Sequence, residues 1–183
     1  MTNKTETIIA ATQHWLEKAV IGLNLCPFAK AVHVKKQIRY VVSAATTPEE
    51  LLEELMNELR TLQDADPDKL DTTLLIHPHV LTDFLDFNDF LDTVDIAVAE
   101  PEFNGEFQVA SLHPRYQFAG TAPDDIENYT NRSPYPTLHL LREDSVDRAV
   151  AAFPDADRIV DNNIGTMNKL GREGWKKLGL DVL

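Results

Sequence analysis

Apolar residues recur at helical spacing along much of the chain and predict five helices. The second helix has the clearest beginning, since Thr47 and Glu50 form a capping-box pattern and Pro48 occupies the first helical position. Gly22 ends the first helix and Pro154 ends the fourth. The expected helices span residues 5–22, 47–62, 82–98, 143–153 and 155–178.

Between the helices lie four shorter stretches in which aliphatic and aromatic residues alternate or run together, which is typical of strands. These strands are expected at residues 38–43, 72–77, 107–113 and 137–141. The alternation of strands with helices along the chain predicts an α/β or α+β fold with a single four-stranded mixed sheet and about five helices. One domain is expected over 1–183, made of an N-terminal helix (5–22), the sheet with its helices (38–153) and a C-terminal helix (155–178).

Residues 114–136 interrupt this pattern with four prolines and four aromatic residues. A connection of this length inside a compact domain is usually a functional loop when it is ordered. We expect the loop to be ordered and its rings to pack onto the sheet edge, because prolines and rings lower the entropic cost of ordering. The rings are those of Tyr116, Phe118, Tyr129 and Tyr135.

The formal net charge of −13 argues against a nucleic-acid-binding or anionic-membrane-binding protein. No apolar run approaches the length of a membrane span, and the polar residues at the beginning of the sequence lead us to expect no secretory signal. With Cys26 as the single cysteine, no intramolecular disulfide can form, and a cytoplasmic location is expected. The expected partner is a small molecule, and the oligomeric state is left open.

Three histidines lie at or near the strands. His77 and His113 each end a strand and precede a proline, whereas His139 lies within the last strand. If the strands that end at His77 and His113 run parallel, both histidines lie at the carboxyl edge of the sheet, where open α/β sheets bind ligands. We expect His113 and His139 to act as general acid or base, because imidazole titrates near neutral pH. The alternative is that these rings bond to loop backbone and fix the strand ends.

A metal site is a further alternative. His77, His79, His113 and His139, with Cys26, supply ligand types that zinc, copper and iron accept. However, these residues are scattered along the chain and show no close paired spacing. The cofactor therefore remains open, with a metal as one possibility.

The long loop and its flanks carry groups suited to an anionic substrate, because guanidinium groups match carboxylates and phosphates. The competing interpretation is that the arginines hold the loop against the acidic third helix. We expect His113, Arg132 and His139 to line one pocket, with Arg115 or Tyr129 at its rim. The expected substrate-binding residues are Arg115, Tyr116, Tyr129, Asn131 and Arg132, with Arg142 in a supporting role.

Two residues outside the loop complete the candidate set. Cys26 follows the carboxyl end of a helix, where the dipole opposes a thiolate, so a buried apolar cysteine is expected. It becomes a candidate nucleophile only if a loop histidine reaches it in the fold. Asn163 lies in the middle of the apolar face of the last helix. It must therefore find buried partners, and it is expected either to hold a loop or to line the site. His77 and these two residues are supporting candidates.

Four segments carry a family resemblance: GLNLCPF at 22–28, TLLIHP at 73–78, LHPRYQFAG at 112–120 and NYTNRSPYP at 128–136. They resemble a bacterial family designated domain of unknown function 1415, over essentially the whole chain. The resemblance implies a bacterial, stand-alone, single-domain protein and adds no mechanism.

Two classes of function are therefore expected. The leading hypothesis is a small enzyme that acts on a phosphate- or carboxylate-bearing small molecule by histidine acid–base chemistry. The alternative is a non-catalytic module that binds a small molecule or a protein through the aromatic loop 114–136. An enzyme requires His113, His139 and an arginine to converge on one concave pocket.

Overall fold

The computed structural model describes residues 4–153 and 155–180, and its central feature is one mixed sheet. The strands are β1 (Ile38–Val42), β2 (Thr72–Ile76), β3 (Phe107–Leu112) and β4 (Thr137–Arg142). Their order is β1-β2-β4-β3, with β1 parallel to β2 and with β4 antiparallel to both of its neighbours. The predicted four-stranded mixed sheet is confirmed, and the fold is α+β.

Six α-helices accompany the sheet in the described part of the chain, and the five longer ones agree with the predicted set. The sixth, α2, was not predicted, and Pro154 lies outside the described residues. Helix α1 continues into a π-helical turn at Leu16–Ile21, and short 3-10 helices span Ile126–Asn131 and Ala156–Arg158. The α-helices are α1 (Lys4–Trp15), α2 (Ala29–Val34), α3 (Pro48–Asp64), α4 (Phe84–Val98), α5 (Glu143–Ala152) and α6 (Ile159–Lys176).

Side chains alternate between the two faces of the sheet, and each face buries its own apolar cluster. The first face packs against α3 and α4, and we call it the α3/α4 face. Its buried strand residues are Leu75, Phe107, Leu138 and Leu140. The second face packs against α1, the π-helical turn and α6, and we call it the α1/α6 face. Strand residues on this side are Ile38, Tyr40, Leu74, Ile76 and Leu112.

Helix α3 is held at both ends by side chains. At its amino end the predicted capping box is present: the Thr47 hydroxyl accepts from the Glu50 amide at 3.3 Å, and the Glu50 carboxylate accepts from the Thr47 amide at 3.2 Å. At its carboxyl end Arg142 donates to the carbonyl of Leu62 and, at 3.0 Å, to that of Ala65. Arg142 therefore caps α3, since the last carbonyls of a helix have no partners within it.

The loop 114–136 is built around the fully buried Asn128. Its side-chain oxygen accepts from the Phe118 amide at 2.9 Å and from the Thr121 hydroxyl at 2.8 Å. Its amide group donates to the Ala122 carbonyl at 2.8 Å. One side chain thus joins the two halves of the loop, a role that sequence reasoning did not assign to it.

The aromatic rings of the loop pack mainly onto helices. Tyr116 lies 5.2 Å from the ring of Phe84 in α4, and Tyr129 lies 5.1 Å from the ring of Trp175 in α6. Tyr135 packs against the strand residues of the α1/α6 face. The expectation that the rings pack onto the sheet edge is therefore correct for Tyr135 and wrong for Tyr116 and Tyr129.

Within residues 4–153 and 155–180, no helix combines the length and the apolar character that crossing a bilayer requires.

Candidate functional site

His77 and His113 lie at the same edge of the sheet, as expected, because β2 and β3 run in the same direction on either side of β4. Both histidines are completely buried. Their rings flank the ring of Phe87, with centroids 5.4 Å and 5.2 Å away. The two imidazoles therefore belong to the apolar core between the α3/α4 face and helix α4.

Hydrogen bonds to backbone fix both rings. Nδ1 of His77 lies 3.0 Å from the Val80 carbonyl, to which it donates. Nδ1 of His113 accepts from the Arg115 amide at 3.0 Å, so its proton resides on Nε2, which lies 3.3 Å from the Leu81 carbonyl. Burial lowers the pKa of each imidazole to about 4. These rings are thus neutral near pH 7 and hold the chain after β2 and β3, which is the alternative considered from the sequence.

His139 lies on the opposite face of the sheet. Its register partners are Leu74 in β2 and Ala110 in β3, and both point to the α1/α6 face. His113 stands three positions after Ala110, and an odd offset along an extended chain reverses the direction of the side chain. The expectation of one pocket shared by His113, Arg132 and His139 is therefore wrong.

The two loop arginines bond to backbone carbonyls. Arg115 donates to the Thr82 carbonyl at 2.9 Å and lies 3.7 Å from a carboxylate oxygen of Asp83, so it ties the loop to the beginning of α4. Arg132 donates to the carbonyls of Tyr116 at 3.2 Å and Pro123 at 2.6 Å. Its guanidinium carbon also lies 4.2 Å from the ring centroid of Tyr129.

The four histidines of the metal alternative do not come together at one place. His79 is exposed, His77 and His113 are buried on the α3/α4 side, and His139 lies across the sheet. Among the described residues, no three His, Cys, Asp or Glu side chains are grouped to hold a metal ion.

A cleft of about 770 Å³ lies on the α1/α6 face, and we call it the α2/α5 cleft. The strand residues Leu74, Ala110 and His139 form its floor. Helix α2 and the segment before it supply one wall, and helix α5 supplies another. At one end the rings of Phe28 and Phe153 meet edge to face, with centroids 6.0 Å apart. Most of the lining is apolar, which is typical of a small-molecule site.

Five candidates from the sequence line this cleft, namely Cys26, Asn131, His139, Arg142 and Asn163. The candidates His77, His113, Arg115, Arg132, Tyr116 and Tyr129 are not part of the lining. Cys26 is a free thiol that is partly exposed, so the expectation of a fully buried cysteine is wrong. The guanidinium group of Arg142 is occupied by the carbonyls at the end of α3.

The ring of His139 is fixed by a short chain of hydrogen bonds. The Thr72 hydroxyl lies 2.6 Å from the Leu140 carbonyl and 2.8 Å from Nε2 of His139. A carbonyl only accepts, so the hydroxyl proton points to Leu140 and the hydroxyl oxygen accepts from Nε2–H. Nδ1 therefore carries the lone pair. Burial lowers the pKa of this ring to about 4, so it is neutral near pH 7.

Three cations line the cleft, Lys35, Arg142 and Arg148, and none of them forms an ion pair with a carboxylate in the described part of the chain. Arg148 donates instead to the Ser145 hydroxyl at 2.9 Å, and Ser145 donates to the Asp71 carboxylate at 2.6 Å. The carboxylates of Asp68 and Asp71 also line the cleft, so its charged side chains sum to one positive charge, which favours an anionic ligand in a strongly acidic protein.

Asn163 is buried, and its side-chain amide donates to the Leu25 carbonyl at 2.9 Å. The predicted protein contact is confirmed, and it ties α6 to the segment that precedes Cys26.

Substituting Asn163→Ala is expected to lower the free energy of unfolding by roughly 1–3 kcal/mol, because the Leu25 carbonyl loses its partner in a buried place. The neighbouring Asn162 is exposed, so Asn162→Ala serves as a control with an expected change within about 0.5 kcal/mol. Urea unfolding of the three proteins gives the comparison. If both variants lost the same free energy of unfolding, the buried contact between Asn163 and Leu25 would not be the cause of the destabilisation.

Sequence reasoning missed several residues of the cleft, including Thr72, Ala110 and the whole of helix α2. A signal for α2 was present, because Pro27 lies two residues before Ala29 and proline is common at the beginning of a helix. No comparable signal marked Thr72, whose contact with His139 depends on the pairing of β2 with β4.

Comparison with known proteins gives a match to one family model, described as a protein of unknown function (DUF1415), over residues 7–177. No curated protein and no solved structure matches the chain. The match covers nearly all of the 183 residues and agrees with the resemblance of the motifs at 22–28, 73–78, 112–120 and 128–136. The chain therefore belongs to the DUF1415 family of proteins of unknown function.

Proposed function

We propose that the protein binds an anionic small molecule with an apolar body in the α2/α5 cleft. The observation that carries this proposal is a mostly apolar cleft of about 770 Å³ that also contains Lys35, Arg142 and Arg148, none of which forms an ion pair within residues 4–153 and 155–180. Apolar side chains favour the body of such a ligand, and the cations favour its carboxylate or phosphate. A cytoplasmic location is part of the proposal, supported by the single unpaired Cys26.

A second candidate is acid–base catalysis on the same ligand, with His139 as the base. It is favoured by the hydrogen bond from Nε2 to Thr72, which holds the ring in one orientation and leaves Nδ1 with its lone pair. A base with a pKa of about 4 is weak near pH 7, and for this reason binding is the first proposal.

Binding is tested with octanoate, octyl phosphate and the uncharged 1-octanol, each kept below its micelle concentration. We expect octanoate or octyl phosphate to raise the melting temperature by roughly 5–10 °C at 100 times Kd, since only the native state binds. We expect 1-octanol to bind more weakly, because it has no charge for Lys35 and Arg148. Removing these cations by Lys35→Gln and Arg148→Gln should reduce the difference between the acids and the alcohol.

A matched pair of variants in α5 locates the binding site. Ala149 lines the cleft, whereas Ala151 is exposed on the same helix and is not part of the lining. Ala149→Trp fills the cleft and is expected to abolish the ligand-dependent rise, and Ala151→Trp is expected to preserve it. The proposal is wrong if neither acid stabilises the wild type, or if both tryptophan variants respond equally.

A further inference from the structure

His139 is the polar residue of the cleft whose hydrogen-bonding roles can be assigned atom by atom, because the partners of its ring fix its tautomer. The Thr72 hydroxyl has one proton, and the Leu140 carbonyl 2.6 Å away takes it. Nε2 of His139 must then be the donor in its 2.8 Å contact with Thr72, and Nδ1 must be an acceptor. The side chain of this histidine therefore presents a lone pair where a ligand can meet it.

Nδ1 is accessible from the cleft. Nε2 is the only ring atom with a hydrogen-bond partner among the described residues, and Nδ1 is not one of the fully buried unpaired polar atoms. The facing position on β3 is Ala110, whose side chain ends at Cβ and is exposed. Residues paired across antiparallel strands have Cβ atoms about 5 Å apart, so a larger residue at 110 would cover the imidazole.

From this geometry we infer that the ligand of the α2/α5 cleft carries a hydroxyl or N–H group that donates a hydrogen bond to Nδ1 of His139. The inference rests on the proposed function and makes its ligand class narrower: an anionic, mainly apolar molecule with a separate hydrogen-bond donor, such as a hydroxy acid or an N-acyl amino acid. The anionic group does not occupy the same position, because a lone pair and a carboxylate repel each other.

The energetic reason is the cost of leaving a polar atom unpaired. A ligand without a donor displaces water from Nδ1 and leaves this nitrogen without a hydrogen bond, whereas a hydroxyl or N–H group on the ligand replaces the hydrogen bond from water. Sites that present a buried hydrogen-bonding group discriminate strongly against analogues that lack the matching group. We therefore expect a donor-bearing ligand to bind about tenfold more tightly than its donor-free analogue.

The test compares ligands of matched shape by calorimetry. One set contains octanoate, its 2-, 3- and 4-hydroxy derivatives and their methyl ethers, and a second set contains hexanoylglycine and its N-methyl analogue. We expect at least one hydroxyl or N–H compound to bind the wild type about tenfold more tightly than its methylated analogue and octanoate. In His139→Phe, which keeps a ring but has no acceptor, this preference should disappear, so that each hydroxyl or N–H compound binds no more tightly than its methylated analogue.

The tautomer is measured directly on the wild type, so that the inference does not depend on the folding of a variant. Nitrogen-detected NMR of the imidazole should show the proton of His139 on Nε2. A proton on Nδ1 overturns the inference, as does equal binding of hydroxy and methoxy compounds or a preference that survives in His139→Phe. In these cases octanoate still binds and the proposed function stands. Failure of every anionic compound to bind overturns both.

Discussion

Lowering the pH from 7 to 4 is expected to remove a large part of the free energy of unfolding, chiefly through His77, His113 and His139. Burial lowers the pKa of each to about 4, whereas an unfolded chain has histidines near 6.5. Between these values the unfolded state binds more protons than the native state. The stability contributed by the neutral rings is therefore fully present above about pH 6.5, and it is lost as the pH falls toward 4.

The size of this loss is on the order of 3 kcal/mol for each completely buried histidine, at about 1.4 kcal/mol per pKa unit. Other charges near His113 act in opposite directions: Arg115 lowers its pKa, and Asp83 raises it. Protonation also removes the acceptor at Nδ1 that holds the Arg115 amide, so acid should loosen the beginning of the loop 114–136.

Urea unfolding between pH 7.5 and pH 4 measures the effect. His113→Phe removes one titrating ring, so the stability of this variant should fall less steeply with decreasing pH than that of the wild type. His14 is exposed, and His14→Gln should leave the wild-type slope unchanged. Equal slopes in wild type and His113→Phe would show that the buried ring is not a source of the pH dependence.

Substituting Phe87→Ala is expected to cost about 3–5 kcal/mol, since Phe87 is a completely buried ring in the core of the α3/α4 face. Removing the Phe87 ring should also change the pKa values of the two histidines that flank it, His77 and His113. With the ring removed, water can reach His77 and His113, and the pKa of each should rise toward its ordinary value.

The experiment combines urea unfolding with NMR titration of the histidine rings. Leu85→Ala in the same helix is the control, because Leu85 is 70% exposed and its removal should change stability by no more than about 0.5 kcal/mol. The loss of stability in Phe87→Leu, which keeps most of the apolar volume, should lie between those of Phe87→Ala and Leu85→Ala. A Phe87→Ala protein as stable as Leu85→Ala would contradict the assignment of this ring to the core.

Local sequence signals predicted most of the elements, because their causes are local. The capping box of Thr47 and Glu50 fixes the beginning of α3 whatever the rest of the chain does. The common edge of His77 and His113 followed from two strands that end in the same dipeptide. Asn163 was predicted correctly for a similar reason, since an amide on an apolar helix face requires a partner.

The candidate site was less predictable because its residues meet through strand register. A two-residue turn fixes the pairing of the strands it joins, but the 24 residues from His113 to Pro136 leave the register of β3 and β4 open. The sequence therefore could not show that His139 faces Ala110 and turns away from His113. The cleft itself is a space between α2, α5 and the sheet, and no residue pattern marks an empty volume.

The strand order has a consequence for folding kinetics. Strand β4 is the last strand to be synthesised, yet it lies inside the sheet and joins β2 to β3. The pairing of Thr72 with Leu141 links positions far apart in the chain, and closing such long loops slows folding. During translation, β3 has no neighbouring strand until residues 137–142 have left the ribosome. The pairing of β3 and β2 with β4 should therefore form late, whereas β1 and β2 can pair before β4 is synthesised.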